Sequence, residues 1–281
     1  MSNLATRTIS GTLFVIVTVV AIYCGAVSFV ALYAAISAVC VWEFCTLVNK
    51  RKGLQVNRMI CTVAAVYLFL AVMAFTTATA GAMIFVPYIL TTVYLLISEL
   101  YMKRPNPLEN WAMAFASQLY IALPVALINV IAFRTDPYYA SVKYVYALPL
   151  AVMVFLWMND MGAYCFGSML QKYIPLKLFP SVSPHKSWIG SAGGAMLTLA
   201  SSLVFAHVFP IMSLSKWVGM AAVVVVFGTW GDLVESQLKR TLGVKDSGKF
   251  LPGHGGALDR FDSSLLAIPC VVIYFYTLEL F

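Results

Sequence analysis

Long apolar runs alternate with short polar connections along almost the whole chain. A transmembrane helix needs about 20 mostly apolar residues to cross the hydrocarbon core of a bilayer. The first run is short, and only Cys24 and Gly25 separate it from the second. The pattern predicts an all-α polytopic integral membrane protein with about nine transmembrane helices. The predicted helices are residues 9–22, 26–46, 58–78, 82–100, 110–133, 144–168, 190–211, 215–238 and 264–280.

The composition argues against an ordinary soluble domain. Of the 281 residues, 62% are hydrophobic and 10% are charged. Residues 1–140 contain five of the predicted helices and no motif, whereas residues 141–281 contain two long polar connections, 169–189 and 239–263. Irregular backbone in a membrane protein lies where water or protein can satisfy it. We therefore predict an N-terminal transmembrane region, residues 1–140, and a C-terminal transmembrane region, residues 141–281, that carries both polar connections.

The basic residues divide unevenly between the two sides of this topology. Only Arg134, Lys143 and Lys216, of 18 basic residues, fall in the connections on one side. Cytoplasmic segments are enriched in Lys and Arg, so the N-terminus and both long connections are predicted to be cytoplasmic. The net charge of +7 then reflects topology and contact with anionic lipids. Nucleic acid is not an expected partner, because no soluble basic domain is present to bind it.

The eighth predicted helix ends in a polar face. Residues at i, i+3, i+4, i+7 and i+8 share one side of a helix. Here those positions are Asp232, Glu235, Ser236, Lys239 and Arg240. Carboxylates in a membrane helix are costly, so they are expected to face a cavity, a partner or a cation. The alternative is an internal ion pair between Glu235 and Lys239.

The connection that follows is rich in charged residues and glycine. Asp259 and Asp262 are three residues apart, and with Asp232 and Glu235 they could supply oxygen ligands for Mg²⁺. His254 lies among glycines, and Gly255 and Gly256 expose backbone N–H groups that suit phosphate. Basic side chains that suit phosphate oxygens are Lys239, Arg240, Lys245, Lys249 and Arg260.

A second polar cluster begins at the end of the sixth predicted helix, with Asn159 and Asp160. It continues with Ser183, Pro184 and Lys186 in the connection 169–189. Asp160 is a candidate for metal or ribose binding, and Lys186 for phosphate binding. Trp157 and Trp188 flank the cluster, so anchoring at the membrane interface is the alternative interpretation.

Residues 236–262, called the signature segment below, read SQLKRTLGVKDSGKFLPGHGGALDRFD. They resemble the signature of the bacterial type of phosphatidate cytidylyltransferases, and every fixed position of that signature is filled. The second cluster resembles two further family segments only in part. Ser168, His185, Ser187 and Ile189 stand where the family has arginine, lysine, threonine and glutamate.

This resemblance implies an enzyme that transfers CMP from CTP to phosphatidate, giving CDP-diacylglycerol and pyrophosphate in phospholipid biosynthesis. It implies a multi-pass protein of the cell's inner membrane, in contact with membrane lipids, with a cytoplasmic active site. Mg²⁺ is the expected cofactor; a second cation and a homodimer are left open. The predicted catalytic residues are Lys239, Arg240, His254, Asp259 and Arg260. The predicted substrate-binding residues are Asn159, Asp160, Ser183, Lys186, Ser236, Lys245, Lys249, Gly255 and Gly256. The predicted metal ligands are Asp232, Asp259, Glu235 and Asp262.

Two other functions use similar residues. A CTP-dependent kinase of polyprenol-type lipids would release CDP instead of pyrophosphate. A cation- or proton-coupled transporter would also place carboxylates in its helices, but near the midplane of the membrane and within inverted repeats. Neither sign is evident in this sequence, whose polar residues cluster on one side.

A single site would require residues from four separated stretches to meet. Those residues are Asp160, Lys186, Asp232, Lys239, His254 and Asp259. The prediction is that the ends of the sixth and eighth helices pack together, and that Asp232 and Asp259 share an ion. In the N-terminal half, Glu99 is expected to pair with Lys103, and Glu43 has no interpretation from the sequence.

Overall fold

The protein is described by a computed structural model that covers residues 3–135, 141–248, 250, 253 and 255–278, with side chains from residue 8. The helices are α1 (Asn3–Tyr23), α2 (Ala26–Val48), α3 (Arg58–Thr76), α4 (Val86–Met102), α5 (Pro107–Ala116), α6 (Leu123–Ala132), α7 (Ala147–Leu170), α8 (Trp188–Val208), α9 (Leu214–Thr241), α10 (Leu258–Phe261) and α11 (Ser264–Thr277). A 3₁₀ turn (Ala82–Phe85) precedes α4, and a π-helical segment (Ser117–Ala122) joins α5 to α6. The strands β1 (Phe133–Thr135) and β2 (Val142–Tyr144) pair antiparallel, as do β3 (Lys177–Phe179) and β4 (Ser183–Ser187).

The predicted fold class is confirmed: the described chain is helical, with two short hairpins. Seven helical segments are long and apolar enough to cross a membrane by length and composition. They are Ala26–Val48, Arg58–Thr76, Ala82–Met102, Pro107–Ala132, Ala147–Leu170, Trp188–Val208 and Leu214–Thr241. The apolar helix Thr8–Tyr23 and α11, with 14 described residues, are shorter. The count of nine spans and the orientation of the N-terminus stay predictions.

The chain forms two compact units. The first comprises Met1–Tyr146 and Asp246–Phe261, and the second comprises Ala147–Lys245 and Asp262–Phe281. The first unit therefore includes most of the polar segment that follows α9, which the linear sequence places in the C-terminal region. The predicted division into residues 1–140 and 141–281 stays a prediction about domains.

In the first unit, buried amide side chains join neighbouring helices. Asn129 donates to the Phe69 carbonyl at 3.2 Å, and Gln118 donates to the Cys61 carbonyl at 3.0 Å. Helices in a membrane gain little from hydrophobic burial against each other, so such bonds and close packing hold them together. Both amides link α3 to the continuous α5–α6 helix.

Glu99 corrects one detail of the sequence prediction. Its carboxylate pairs with Arg104 at 2.9 Å and accepts a hydrogen bond from Asn110 at 3.1 Å. Lys103, the expected partner, has a φ of 50° and ends α4. Because a left-handed residue redirects the chain, the i+4 geometry of a continuous helix no longer holds at this position.

In the second unit, α7 and α8 approach through glycine. A Cβ on Gly162 would lie 2.6 Å from the Gly193 carbonyl oxygen, and a Cβ on Gly194 would lie 2.6 Å from the Asn159 carbonyl oxygen. Small residues permit this backbone contact between membrane helices. The contact positions the middle of α7, where Asn159 and Asp160 lie, against α8.

We expect Gly162→Val to lower the melting temperature in detergent, because the added atoms would overlap the backbone of α8. Overpacking of this kind costs about 1–3 kcal/mol. Gly81→Val is the matched control, since no atom lies within 4 Å of a Cβ built at Gly81. Equal melting temperatures for the two variants would contradict the close α7–α8 contact.

Candidate active site

The carboxylate of Asp259 organises the part of the signature segment that lies in the first unit. Its oxygens accept hydrogen bonds from the backbone N–H of Ser247 at 2.9 and 3.1 Å and from Gly256 at 2.7 Å. Asp259 is buried at the start of α10. Gly255 has a φ of +84°, and a Cβ there would meet the Asp259 carboxylate. Glycine at this position therefore permits both the backbone conformation and the close approach.

A second carboxylate reaches the same segment from α2. Glu43 Oε2 accepts hydrogen bonds from the Leu258 N–H at 3.0 Å and the Ser247 hydroxyl at 3.4 Å. Glu43 also lies against the Cα atoms of Gly248 and Gly256, where a Cβ would collide with its oxygens. The pattern of the sequence did not indicate Glu43 as part of the site. Its one signal was a carboxylate in an apolar helix, which is costly unless it has a partner.

In the second unit, polar side chains line a cavity of about 260 Å³. Lys186 on β4 pairs with Asp232 on α9 at 2.5 Å. Asn159 on α7 is buried and donates to the Thr229 hydroxyl at 3.3 Å. The wall of the cavity also includes Asp160, Tyr164, His185, Ser187 and Ser191. A cation, carboxylates and neutral donors in one concave site fit a phosphorylated or nucleotide ligand.

The local sequence explains how these groups meet. The β3–β4 hairpin carries Lys186, and Ser187 caps α8 by accepting the Gly190 N–H at 3.2 Å. A Cβ on Gly190 would lie 2.8 Å from the Ala163 carbonyl oxygen. Because α7 and α8 are this close, the hairpin that enters α8 comes next to the polar residues in the middle of α7. The Asn159–Thr229 hydrogen bond shows that α7 and α9 pack together near their middles, while the expected packing of their ends stays a prediction.

Farther along α9, Glu235 and Lys239 form an ion pair at 2.6 Å, with Glu235 fully buried. This is the internal pair that the helical spacing offered as an alternative to a metal site. Asp232 accepts a hydrogen bond from the Ser236 hydroxyl at 3.2 Å. Helix α9 therefore has the polar face that the helical spacing predicts. The carboxylates of Asp232 and Glu235 on that face have partners within the second unit.

Asp262, between α10 and α11, is a further carboxylate of this unit, near Asp232, Glu235 and Asp160. Burial raises the pKa of Asp262 well above its ordinary value, and the charges of Asp232, Glu235 and Asp160 raise that pKa further. The Ser263 N–H donates to its carboxylate at 2.6 Å and opposes the shift. Burial first, and the neighbouring carboxylates second, therefore disfavour the charged form of Asp262.

Comparison with known proteins assigns the chain to a family. The sequence profile of the cytidylyltransferase family matches residues 5–278. The chain belongs to this family. It is 43% identical to a phosphatidate cytidylyltransferase of Staphylococcus aureus (strain COL) over 126 residues, which are 44% of this chain and 47% of that protein. Similar proteins of the same name from Staphylococcus saprophyticus and Staphylococcus epidermidis are 42% identical over the same shares. The chain spans about half the length of the curated relatives it matches.

The cytidylyltransferase signature is divided between the two units. Ser236, Lys239, Arg240, Lys245 and Asp262 belong to the second unit, and Gly255, Gly256, Asp259 and Arg260 belong to the first. Arg240, Lys245 and Arg260 are exposed, as is Asp160, whereas Ser183 is half-buried. Lys249 and His254 lie outside the described residues. The Gly256 N–H, expected to face phosphate, donates to Asp259.

The structure thus brings Asp160, Lys186 and Asp232 to one cavity of the second unit. Asp259 belongs to the first unit, so the ion shared by Asp232 and Asp259 stays a prediction. Within the described residues, no group of three or more Asp, Glu, His or Cys side chains is arranged to hold a metal. Mg²⁺, however, is often held by one or two carboxylates with substrate phosphates and water. The oxygen donors of the second unit fit that mode of binding.

Asp262→Asn should raise the melting temperature at pH 7 in buffer containing EDTA. An unfolded aspartate titrates near pH 4, while the folded pKa of Asp262 lies higher. The folded protein then binds the extra proton, so stability decreases as the pH rises from about 4 through the folded pKa. The asparagine variant should lose that part of the decrease.

Melting temperatures of both proteins between pH 4 and 8 measure the effect. Glu109→Gln is the control, because Glu109 is an exposed carboxylate of the first unit. If the melting temperatures of wild type and Asp262→Asn depend on pH in the same way, the charged form of Asp262 does not destabilise the folded protein.

Proposed function

We propose that the protein transfers CMP from CTP to phosphatidate, giving CDP-diacylglycerol and pyrophosphate. The observation that carries this proposal is the polar cavity of the second unit. It holds the Lys186–Asp232 pair and Asn159 among helices long enough to cross a membrane. Family membership and the name of the staphylococcal relatives support the same activity.

The reaction needs little covalent chemistry from the protein. A phosphate oxygen of phosphatidate attacks the α-phosphorus of CTP, a P–O bond forms, and the bond to the β-phosphate breaks as pyrophosphate leaves. The attacking oxygen is already anionic, so no serine or cysteine nucleophile is required. The protein must bring two polyanions together and stabilise the charge that develops on the leaving group.

Lys186 is the residue best placed to bind the triphosphate. Its ammonium is already held at the cavity by Asp232, and both side chains are half-buried. A preoriented cation in a partly water-excluded site contributes more than an exposed one. In this proposal, Lys239, Arg240, Lys245, Lys249 and Arg260 bind further phosphate oxygens, and Asn159, Asp160, Ser183 and Ser236 position the nucleotide.

Mg²⁺ is the proposed cofactor. Asp232, Asp160 and Asp262 are the carboxylates of the second unit that would hold it, and Asp259 is the candidate from the first unit. When bound, the metal would neutralise the triphosphate and stabilise the leaving pyrophosphate. Both polar connections would then face the cytoplasm, where CTP is available, in agreement with the distribution of basic residues.

An apolar cavity of about 490 Å³ in the first unit supports a lipid substrate. α1 and α2 form most of its wall, and Phe250, Ala257 and Phe261 of the signature segment close one side. The volume lies in the range of about 300–1,000 Å³ that is typical of ligand pockets. We assign one acyl chain of phosphatidate to this cavity, because it offers an apolar surface beside the residues that carry the family signature.

Purified protein with CTP, phosphatidate and Mg²⁺ should release pyrophosphate and form a lipid that carries CMP. Lys186→Met should reduce kcat/KM for CTP by about 10²-fold, as expected for loss of a preorganised charge. Lys52→Met is the control, since Lys52 is exposed in the turn after α2. Release of CDP with a phosphorylated lipid would identify a lipid kinase instead, and no lipid-linked CMP would refute the proposal.

The acyl-chain assignment has its own test. Ala35→Trp adds a large side chain to the cavity wall, whereas Ala31→Trp adds the same group one turn away, at an exposed position outside that wall. Ala35→Trp should raise KM for dioleoyl phosphatidate several-fold, but change KM little for a short-chain phosphatidate or for CTP. A response that is independent of chain length would contradict the assignment.

A further inference from the structure

Glu43 lies in the half of the chain that contains no family motif, yet it contacts the family's signature segment. It is near the end of α2, a helix long and apolar enough to span a membrane. Its Oε2 accepts from the Leu258 N–H and the Ser247 hydroxyl, which are eleven positions apart in the chain. One carboxylate therefore holds both ends of a loop.

The same loop is held from within by Asp259. The Ser247 N–H and the Gly256 N–H both donate to Asp259, while the Ser247 hydroxyl donates to Glu43. Ser247 thus joins the two carboxylates. Hydrogen bonds to a charged acceptor are stronger than neutral ones, and a buried network of them makes a segment rigid.

The glycines of the loop match this arrangement. A Cβ on Gly248 would collide with Glu43 Oε1, and a Cβ on Gly256 would collide with Glu43 Oε2. Both glycines have ordinary φ values, so backbone freedom does not explain their presence. The space that the Glu43 carboxylate occupies explains Gly248, and Glu43 together with the Ser247 hydroxyl explains Gly256.

We propose that Glu43 is a positioning residue for the signature segment. It fixes Ser247 and Leu258, and through these two residues it fixes the orientation of the Asp259 carboxylate. Glu43 acts through these residues and does not itself contact the substrate or the reacting atoms. The kinetic consequences of this role rest on the proposed function. The contacts of Glu43 with Ser247 and Leu258 do not depend on that function.

Glu43→Gln is the decisive variant, because it removes the charge and nearly preserves the shape. Glu109→Gln is the matched control on an exposed residue of the same unit. Amide hydrogen exchange, measured by mass spectrometry, should become about tenfold faster in peptides that contain Ser247 or Leu258. Exchange in α3 and α6 should not change, and the melting temperature should change little.

The kinetic readout separates positioning from general loss of structure. Glu43→Gln should reduce kcat by about 10- to 10²-fold, with KM for CTP little changed, because a small displacement of a catalytic group impairs the transition state most. Glu43→Ala should be more severe, since the glutamine carbonyl can still accept the Leu258 N–H. The Mg²⁺ concentration for half-maximal rate should remain near the wild-type value.

A double-mutant cycle tests the steric part of the proposal. Gly248→Ala alone should impair activity, because the added methyl group would overlap the Glu43 carboxylate, whose atoms are the three nearest to a Cβ built there. In the Glu43→Ala background the same change should cost much less, since the obstructing oxygens are gone. Additive losses would show that the Gly248 defect has another origin.

Three results would overturn the proposal. Unchanged exchange at Ser247 and Leu258 in Glu43→Gln would show that Glu43 does not hold the loop. Faster exchange throughout the protein would assign Glu43 to helix packing. A Mg²⁺ requirement raised in proportion to the loss of kcat would make Glu43 a metal ligand. If the wild-type protein forms no CMP-lipid, the proposed activity fails, while the exchange experiment still decides the role of Glu43.

Discussion

The structure depends on one constraint: a carboxylate within an apolar helix must have a partner, because the membrane supplies no water to solvate it. Glu43 on α2 meets this constraint with a hydroxyl and a backbone N–H, and Glu235 on α9 meets it with Lys239. Asp232 uses Lys186 and the Ser236 hydroxyl. Three of these partners, Lys186, Ser247 and Leu258, come from the polar connections, so these contacts fix where those segments lie. A few charges in a hydrophobic chain thereby determine where its polar connections fold.

The extent to which the sequence predicts the fold follows from the physics of each element. Apolar runs long enough for a bilayer became helices, since a membrane requires hydrogen-bonded backbone. Pro124 lies near the π-helical segment within the fifth predicted span, and a proline lacks the N–H that a regular helix uses. No pattern in the linear sequence assigned residues 246–261 to the first unit, because that grouping depends on contacts distant in the chain. The partner of Glu99 was missed for a local reason, the left-handed Lys103.

For the candidate site, the chemical type of a side chain predicted its membership in the site better than its position in the sequence did. Asp160, Lys186 and Asp232 were selected as acids and bases near helix ends, and the structure places them around one cavity. Glu43 was missed because two of its neighbours are glycines and one of its donors is a backbone N–H, groups that carry no charge pattern in a sequence. The use of the Gly256 N–H by Asp259 was missed for the same reason. The functions of these residues remain predictions that the experiments above address.

Asp259 and Asp232 are each oriented by donors of their own unit, and this bears on the proposed catalysis. Asp259 is held by backbone N–H groups of the first unit, and Asp232 by side chains of the second. Neither carboxylate therefore needs substrate to acquire an orientation. Preorganised charges cost little reorganisation during the reaction, which is the main source of rate enhancement in phosphoryl-type transfers. A chain with 10% charged residues can serve such a reaction if those charges are fixed in advance. The apolar helices would then contribute to the reaction by holding a few polar clusters rigid.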